Sequence, residues 1–297
     1  MMIKVSLLVN PLAGKGKAIS IAEELKGLLN ELGAEVNLLI PENRSKVVEI
    51  ATDSVNSGID RLVTVGGDGL INQAVNVLAG TGTTLGVIPV GTGNDFARSL
   101  GLDSGGLFEQ AQKALSPAVE VDLIKCGSTF VATSTICGFP AAVNLRANAL
   151  RFPKGSSSYT FATLMELPVM SPTFYKLKLD SESLEIKAAA VIVANSAYFG
   201  GGMKICPDAD TSDGLLDVCI IGDVGKFDLL RSFLKVRTGD HVDHPKVYVY
   251  EASEIEIAGT GIIRGDGEQL GELPTKIVVQ RGAINVAGGD NRPPGRG

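Results

Sequence analysis

Three times between residues 3 and 97 the chain runs from an apolar stretch straight into a glycine-rich turn and then into a segment of helical period. "IKVSLLV" leads into "NPLAGKGKA" (10–18), "RLVTV" into "GGDGLIN" (66–72), and "TLGVIPV" into "GTGNDFA" (91–97). Strands apolar along their whole length are buried on both faces, and helices between them make the connections of a parallel sheet. In such a sheet all three turns fall on the carboxyl edge, where ligands of α/β folds bind.

The helical segments are legible individually. Ile21, Leu25, Leu28, Leu29 and Leu32 recur at helical spacing and Gly33 follows at a C-cap position; Ile71, Ala74, Val75 and Leu78 fall at i, i+3, i+4 and i+7. A further helix is expected over 45–57, a strand at "EVNLLI" (35–40), and a short helix from Asn94. Residues 1–120 therefore read as a Rossmann-like α/β domain. Beyond Asp122 the texture changes to alternation of period two, as in "FYKLKLDSESLEIK", "KVYVY" and "EIEIAG". Residues 121–282 read as an antiparallel β domain with helical inserts near 141–150 and 158–167. The segment 283–290 is expected to return to the first domain. The tail 291–297, rich in Gly and Pro, is expected to be disordered.

Charge and composition narrow the partners. The net charge of −6 provides no basic face for nucleic acid, so small molecules or lipids are expected instead. No apolar run approaches a membrane-spanning length, and the first residues lack a cleavage site after a long enough apolar core, so a cytoplasmic protein is expected. Cys126, Cys137, Cys206 and Cys219 form no CxxC pair and read as buried thiols, while His241 and His244 in "TGDHVDHPK" read as part of a polar surface loop.

The turns suit phosphate, in an unusual way. "NPLAGKGKA" fails the Walker pattern because Gly16 follows Lys15, and fails the dinucleotide pattern because Ile19 stands where the third glycine belongs. What remains is backbone N–H groups exposed by Gly14 and Gly16 at a helix start, with Lys15 or Lys17 adding charge. In "GGDGLIN" glycines admit a phosphate, whereas Asp68 would repel it unless a divalent cation intervened. In "GTGN" the Thr92 hydroxyl and the amides of Gly91 and Gly93 form a second anion cradle, and Asn94 can cap the next helix.

Two acidic stretches follow. In "RGDGEQLGELP" (264–274), an extended backbone would aim Asp266 and Glu268, at i and i+2, to one side as two carboxylates for proton transfer or metal. "PDADTSDGLLD" (207–217) starts like a calcium loop, but Asp213 stands where the turn glycine belongs and Cys219 where the bidentate Glu belongs, which excludes an EF-hand.

Together these turns, "VANSAYFGGGMKICPDADTSDGLLDVCII" (193–221) and "RGDGEQLGELP" resemble the bacterial diacylglycerol kinase-like lipid kinases, relatives of sphingosine and ceramide kinases and, more distantly, of NAD kinases. The resemblance spans nearly the whole chain. It implies an N-terminal ATP-binding domain, a C-terminal β-sandwich and an active site between them. It implies ATP contacts from Asn10, Pro11, Leu12, Ala13 and Gly14, from Gly66, Gly67, Asp68, Gly69, Leu70, Ile71 and Asn72, and from Thr92. Asp68 joins Asp266 and Glu268 as a catalytic residue, with Asp266 or Glu268 the base. Asp210, Asp213 and the Leu215 carbonyl would hold a structural Mg²⁺. More weakly, it implies a role for Asp122 at the catalytic metal and a charged network of Lys15, Asp95 and Lys154.

The resemblance also implies a peripheral, transient contact with a membrane surface carrying the lipid substrate. The expected contact segment is "ALRFPKGSSSYTF" (149–161), where Arg151 and Lys154 mix with Phe152, Tyr159 and Phe161. The sequence leaves the oligomeric state open, a homodimer included. Three positions depart from the family: Leu70 for Thr, Gln73 for Glu, and Pro41 for a nucleotide-contacting Thr. The alternatives are an NAD kinase-like enzyme of a soluble substrate and a catalytically weak nucleotide sensor.

Overall fold

The computed structural model describes residues 2–149, 162 and 165–291. The chain forms two units, one from the described residues of Met1–Asp122 and Arg281–Arg292, the other from those of Leu123–Gln280. In the first, β1 (Ile3–Val9), β2 (Ala34–Leu39), β3 (Arg61–Gly66) and β4 (Thr84–Pro89) are parallel in the order β4-β3-β1-β2. They alternate with α1 (Ala18–Glu31), α2 (Lys46–Asn56), α3 (Asp68–Leu78), α4 (Asp95–Ser99) and α5 (Leu107–Leu115). One face of the sheet sets Val5, Leu7, Val9, Val63 and Val65 against Ala18, Ala22, Leu25 and Leu29 of α1 and Ala111 and Ala114 of α5. The one hydroxyl in the buried run of β1 is satisfied: Ser54 of α2 donates to Ser6 at 2.7 Å.

The second unit follows β5 (Ala118–Cys126) and is built from β6 (Thr129–Val131), β7 (Ser134–Gly138), α6 (Phe139–Ala149), β8 (Thr173–Leu179), β9 (Glu182–Ala194), the small hairpin β10 (Tyr198–Phe199) and β11 (Met203–Lys204), and β12 (Leu216–Gly222). It continues with α7 (Lys226–Lys235), β13 (Val247–Ala252), β14 (Glu254–Ala258), β15 (Ile262–Gly265) and β16 (Glu268–Glu272). The last strand, β17 (Thr275–Ala287), pairs antiparallel with β14 in the second unit; in the first, its Asn285 and Val286 lie parallel to Thr84 and Leu85 of β4.

β9 is the spine of the second unit, and its sequence shows why. Over Glu182–Lys187 it alternates and pairs with β8; from Ala188 to Ala194 every residue is buried, and the strand lies between β7 and β12. Val191 and Val193 enter one core with Val218, Ile220, Ile255 and Ile257. Ile192 and Ala194 enter another, closed by Ala141 of α6, by Leu229 of α7 and by Val236 just past its end.

The expected fold class, a Rossmann-like domain with an antiparallel β-sandwich, is the one observed. Several details differ. α5 and α7 are not among the helices expected from the sequence. His241 is no surface residue: it is fully buried in a 3-10 turn, its Nε2 3.0 Å from the Ile205 carbonyl. All four cysteines are free and buried. Most of the insert expected at 158–167 and all of the tail beyond residue 291 lie outside the described residues.

Asp217 carries a pH signature. It stands directly across from Glu251 on β13, and its carboxyl is pushed up to about 7, first by burial and then by the charges of Glu251, Asp213 and Asp208. Its native pKa lies above the unfolded value of about 3.9, so its stabilising contribution is complete below that value and is lost as pH rises through about 7. In metal-free buffer, Asp217→Asn should raise the melting temperature by several degrees at pH 8, on the order of 2–4 kcal/mol, and change it little at pH 4. Melting curves at the two pH values test this; an equal shift at both contradicts it.

Candidate functional site

The three glycine-rich turns meet at the carboxyl ends of β1, β3 and β4. The Asn10 amide donates to the Val65 carbonyl at 3.1 Å, and the Val90 amide to the Gly66 carbonyl at 2.8 Å, so each turn is bonded to its neighbour. At two of the glycines the packing leaves no room for a side chain: a Cβ on Gly91 would lie 2.8 Å from the Gly67 Cα, and one on Gly14 would lie 2.5 Å from Val90 Cγ1. Gly14 also has φ +57, a left-handed conformation that glycine adopts without strain.

Asp68 fastens the second turn to the third. Its Oδ2 accepts the Asn94 amide at 2.8 Å and its Oδ1 the Asp95 amide at 2.9 Å, at the start of α4. The helix cap expected from Asn94 is thus supplied by Asp68. Asn94 occupies the N-cap position with φ 56, but its side chain donates to the Gly91 carbonyl at 2.9 Å. Main-chain groups of Asn10–Gly14, Gly66–Gly69 and Gly91–Gly93 therefore gather along one edge, beside the N-terminus of the eleven-residue α3. That arrangement suits a polyphosphate: backbone approaches closely and the helix end favours negative charge.

The remaining residues expected here divide into those at the edge and those beneath it. Leu12 and Thr92 are exposed. Leu70 and Ile71 are buried and their amides donate to the Gly67 carbonyl at 3.0 and 3.3 Å, so both support the turn from the core. The Asn72 carbonyl accepts from Asn76 at 2.9 Å, and the Gln73 side chain donates to the Arg44 carbonyl at 3.1 Å. Lys15 is exposed, Asp95 is buried 3.7 Å from the Arg98 guanidinium, and Lys154 lies outside the described residues. Asp122 is buried, with its Oδ1 accepting the Gly282 amide at 2.7 Å.

In the second unit, "GDGE" is a two-residue hairpin turn. Gly265 pairs with Glu268, and Asp266 and Gly267 take φ 45 and 84, the left-handed values of a type I′ Asp-Gly loop. This corrects the expectation of an extended segment with two carboxylates on one side, because a tight turn breaks the alternation. The Asp266 side chain reaches back instead: Oδ2 accepts the Ala132 amide at 2.7 Å, and Oδ1 accepts the Thr133 amide at 3.1 Å and the Thr133 hydroxyl at 2.5 Å. Glu268 is exposed. Buried Arg264 braces the turn, donating to Asn144 at 2.7 Å and to the Gly267 carbonyl at 2.6 Å. Thr133, Asn144 and Arg264 escaped the sequence; Asn144 lies on α6, 120 positions away from Arg264.

In the acidic loop, Asp210 Oδ1 accepts the amide and hydroxyl of Ser212 at 2.8 and 2.7 Å, and Asp213 Oδ1 accepts the Leu215 amide at 2.8 Å. These Asx turns fix the loop's course. Among the described residues, no three His, Cys, Asp or Glu side chains converge as a metal-binding group.

Comparisons with known proteins identify the family. Residues 4–126 match the model of the diacylglycerol kinase catalytic domain, and residues 133–288 that of the YegS C-terminal NAD kinase beta sandwich-like domain. A diacylglycerol kinase of Mycobacterium tuberculosis is 33% identical, over 95% of this chain and 94% of its own length, and one of Bacillus subtilis is 25% identical over 92% of each. The crystal structure of a diacylglycerol kinase from Bacillus anthracis superposes with a TM-score of 0.79 at 23% identity, covering 96% of both chains. The chain is an enzyme of the diacylglycerol kinase-like family of lipid kinases.

Proposed function

We propose that this lipid kinase transfers the γ-phosphoryl group of ATP, with Mg²⁺, to a hydroxyl of diacylglycerol or a closely related lipid at a membrane surface. The observation that carries the reading is the meeting of the three turns under Asp68, because phosphoryl transfer depends on positioning and charge neutralisation more than on covalent chemistry. ATP is the donor that membership of a kinase family implies. The main-chain amides along the edge would cradle its phosphates, and their fixed dipoles need no reorganisation as the group transfers.

Asp266 is the better candidate for proton acceptor. Three donors and a braced turn hold its carboxylate in one place, which a group receiving a hydroxyl proton requires. Glu268 supplies a second, exposed carboxylate two residues on. The oxygen-only donors of the acidic loop, two carboxylates and the Leu215 carbonyl, suit a Mg²⁺ ion that keeps several waters. When bound, magnesium would neutralise charge, as structural support in the loop and on the phosphates of ATP. No helix among the described residues is long and apolar enough to cross a membrane, in keeping with an enzyme that docks on its substrate's surface.

A transfer assay with γ-labelled ATP against diacylglycerol, phosphatidylglycerol, a sphingoid base and NAD tests the acceptor. Label is expected in diacylglycerol. Label on NAD alone sinks the lipid acceptor, and ATP binding without any transfer favours a sensor.

Asp68→Asn leaves an amide nitrogen facing a backbone N–H. It should weaken ATP binding about tenfold or more and lower stability by roughly 1–3 kcal/mol, read by calorimetry and melting curves. Affinity within about twofold of wild type contradicts the fastening role.

Asp266→Asn and Glu268→Gln should each lose most turnover, Asp266→Asn about 10²-fold or more, with ATP affinity little changed. Thr133→Val, which removes one of the three donors and leaves the carboxylate, should lose far less. Near-normal turnover in both acid variants would overturn the proton-acceptor assignment.

A further inference from the structure

The helix α7 is apolar on two opposite sides. Leu229 and Val236 enter the core and Ser232 is buried with them, which fixes one face of the helix. On the other face Phe227, Leu230, Arg231 and Leu234 fall at i, i+3, i+4 and i+7, with Phe227 84% and Leu234 70% exposed and Leu230 half-buried between them. The 3-10 turn Leu167–Val169 packs against this helix and adds Val169, 70% exposed. Isolated apolar residues on a surface need no explanation, but an apolar stripe along an anchored helix marks an interaction site.

Charge identifies the occupant. Between residues 226 and 246, Lys226, Arg231, Lys235, Arg237 and Lys246 outnumber Asp228 and the Asp240 and Asp243 of the 3-10 turn packed against the helix, five cations against three carboxylates, all of them exposed. Asp223, just ahead of the helix, is paired with Lys187 at 3.0 Å. The chain as a whole is net −6, so an anionic bilayer repels most of it and attracts this segment. A second copy docked here by a two-fold axis would set two such basic helices against each other, which disfavours it.

We propose that α7 is an interfacial docking helix for an anionic phospholipid surface, with Phe227, Leu230 and Leu234 entering the headgroup region and Lys226, Arg231, Lys235 and Arg237 pairing with lipid phosphates. This deepens the lipid-kinase proposal and rests on it for its purpose, though the contact itself can be measured without turnover. The core-side residues hold the helix folded beforehand, so binding need not order it. The apolar stripe supplies insertion and the cations supply selectivity for anionic lipid.

Sedimentation of the full chain with vesicles of phosphatidylcholine alone, or phosphatidylcholine with phosphatidylglycerol in equal parts, tests the inference. The wild type should partition to the anionic vesicles and not to the neutral ones. The pairs Phe227→Ser with Leu234→Ser and Arg231→Glu with Lys235→Glu should each reduce partitioning about tenfold or more. Because all four side chains are exposed, the melting temperature should stay within a few degrees. Activity on a short-chain, water-dispersed diacylglycerol should remain, while activity on the same lipid class in anionic vesicles should fall with partitioning.

Wild-type partitioning by both pairs overturns the proposal. So does a self-associating wild type that the Phe227→Ser, Leu234→Ser pair renders monomeric while vesicle binding persists, which gives the face to a second copy. Loss of partitioning in the variants, in a protein that phosphorylates no lipid, supports the docking helix and refutes the acceptor alone.

Discussion

The edge where the three glycine turns meet depends on the carboxylate of Asp68 and its two hydrogen bonds. A single side chain at the start of α3 caps α4, so the turn after β3 cannot shift without moving the turn after β4. Capping usually comes from the residue at the helix's own N-terminus; here the Asn94 side chain is turned toward Gly91, and the cap comes from another strand's turn. The close approach of Gly67 and Gly91 follows from this, since the carboxylate can span both amides only where the two backbones nearly touch. An acid among glycines proposed to cradle phosphate looks paradoxical when only the ligand is considered. Its first function is to hold the protein's own amide groups in register.

β9 has the corresponding role in the second unit. At its end, Ala194 pairs with Ser134 on one side and with Asp217 on the other. Thr133, which holds Asp266, immediately precedes Ser134, and the Asn195 amide donates to the Thr133 carbonyl at 2.8 Å. The acidic loop runs into β12 at Asp217. The hairpin that positions Asp266 and the loop that carries Asp210 and Asp213 are therefore tied to the same end of one fully buried strand. Burial on both faces makes that strand end a rigid reference, which groups placed for chemistry require.

Much of this was legible in the sequence, for identifiable reasons. The strands of the first unit are apolar along most of their length and its helices have clean 3.6-residue stripes, so α2 falls within one residue of its expected bounds and the periodic residues from Ile21 and from Ile71 lie in α1 and α3. The glycine turns declare themselves because only glycine tolerates such packing. What stayed hidden depends on residues far apart in sequence: Asp68 capping α4, Arg264 meeting Asn144, Asp266 reaching Ala132 and Thr133. The hairpin itself was readable, since Asp-Gly between two strands signals a type I′ turn; treating it as extended gave the wrong direction for Glu268. His241 was misplaced because a short loop rich in Asp and His gives no sign that one ring lies beneath it.

α7 is not among the helices expected from the sequence, and it is the more informative omission. Its polar and apolar residues segregate as clearly as those of α2, yet part of its apolar content is not taken up by the core. In "KFDLLRSFLK" the inner residue Leu229, with Val236 just past the end, joins the core, and the outer pair, Phe227 and Leu234, is exposed. Places where a sequence departs from the local rules of folding without a structural return are where function is expected to act. On the proposed function, an enzyme of net charge −6 that draws its substrate from a membrane would have to bring one face to that membrane against the repulsion of anionic lipid. Such a face needs both an apolar stripe and a local surplus of cations, and α7 combines the two on a helix already anchored by its other side.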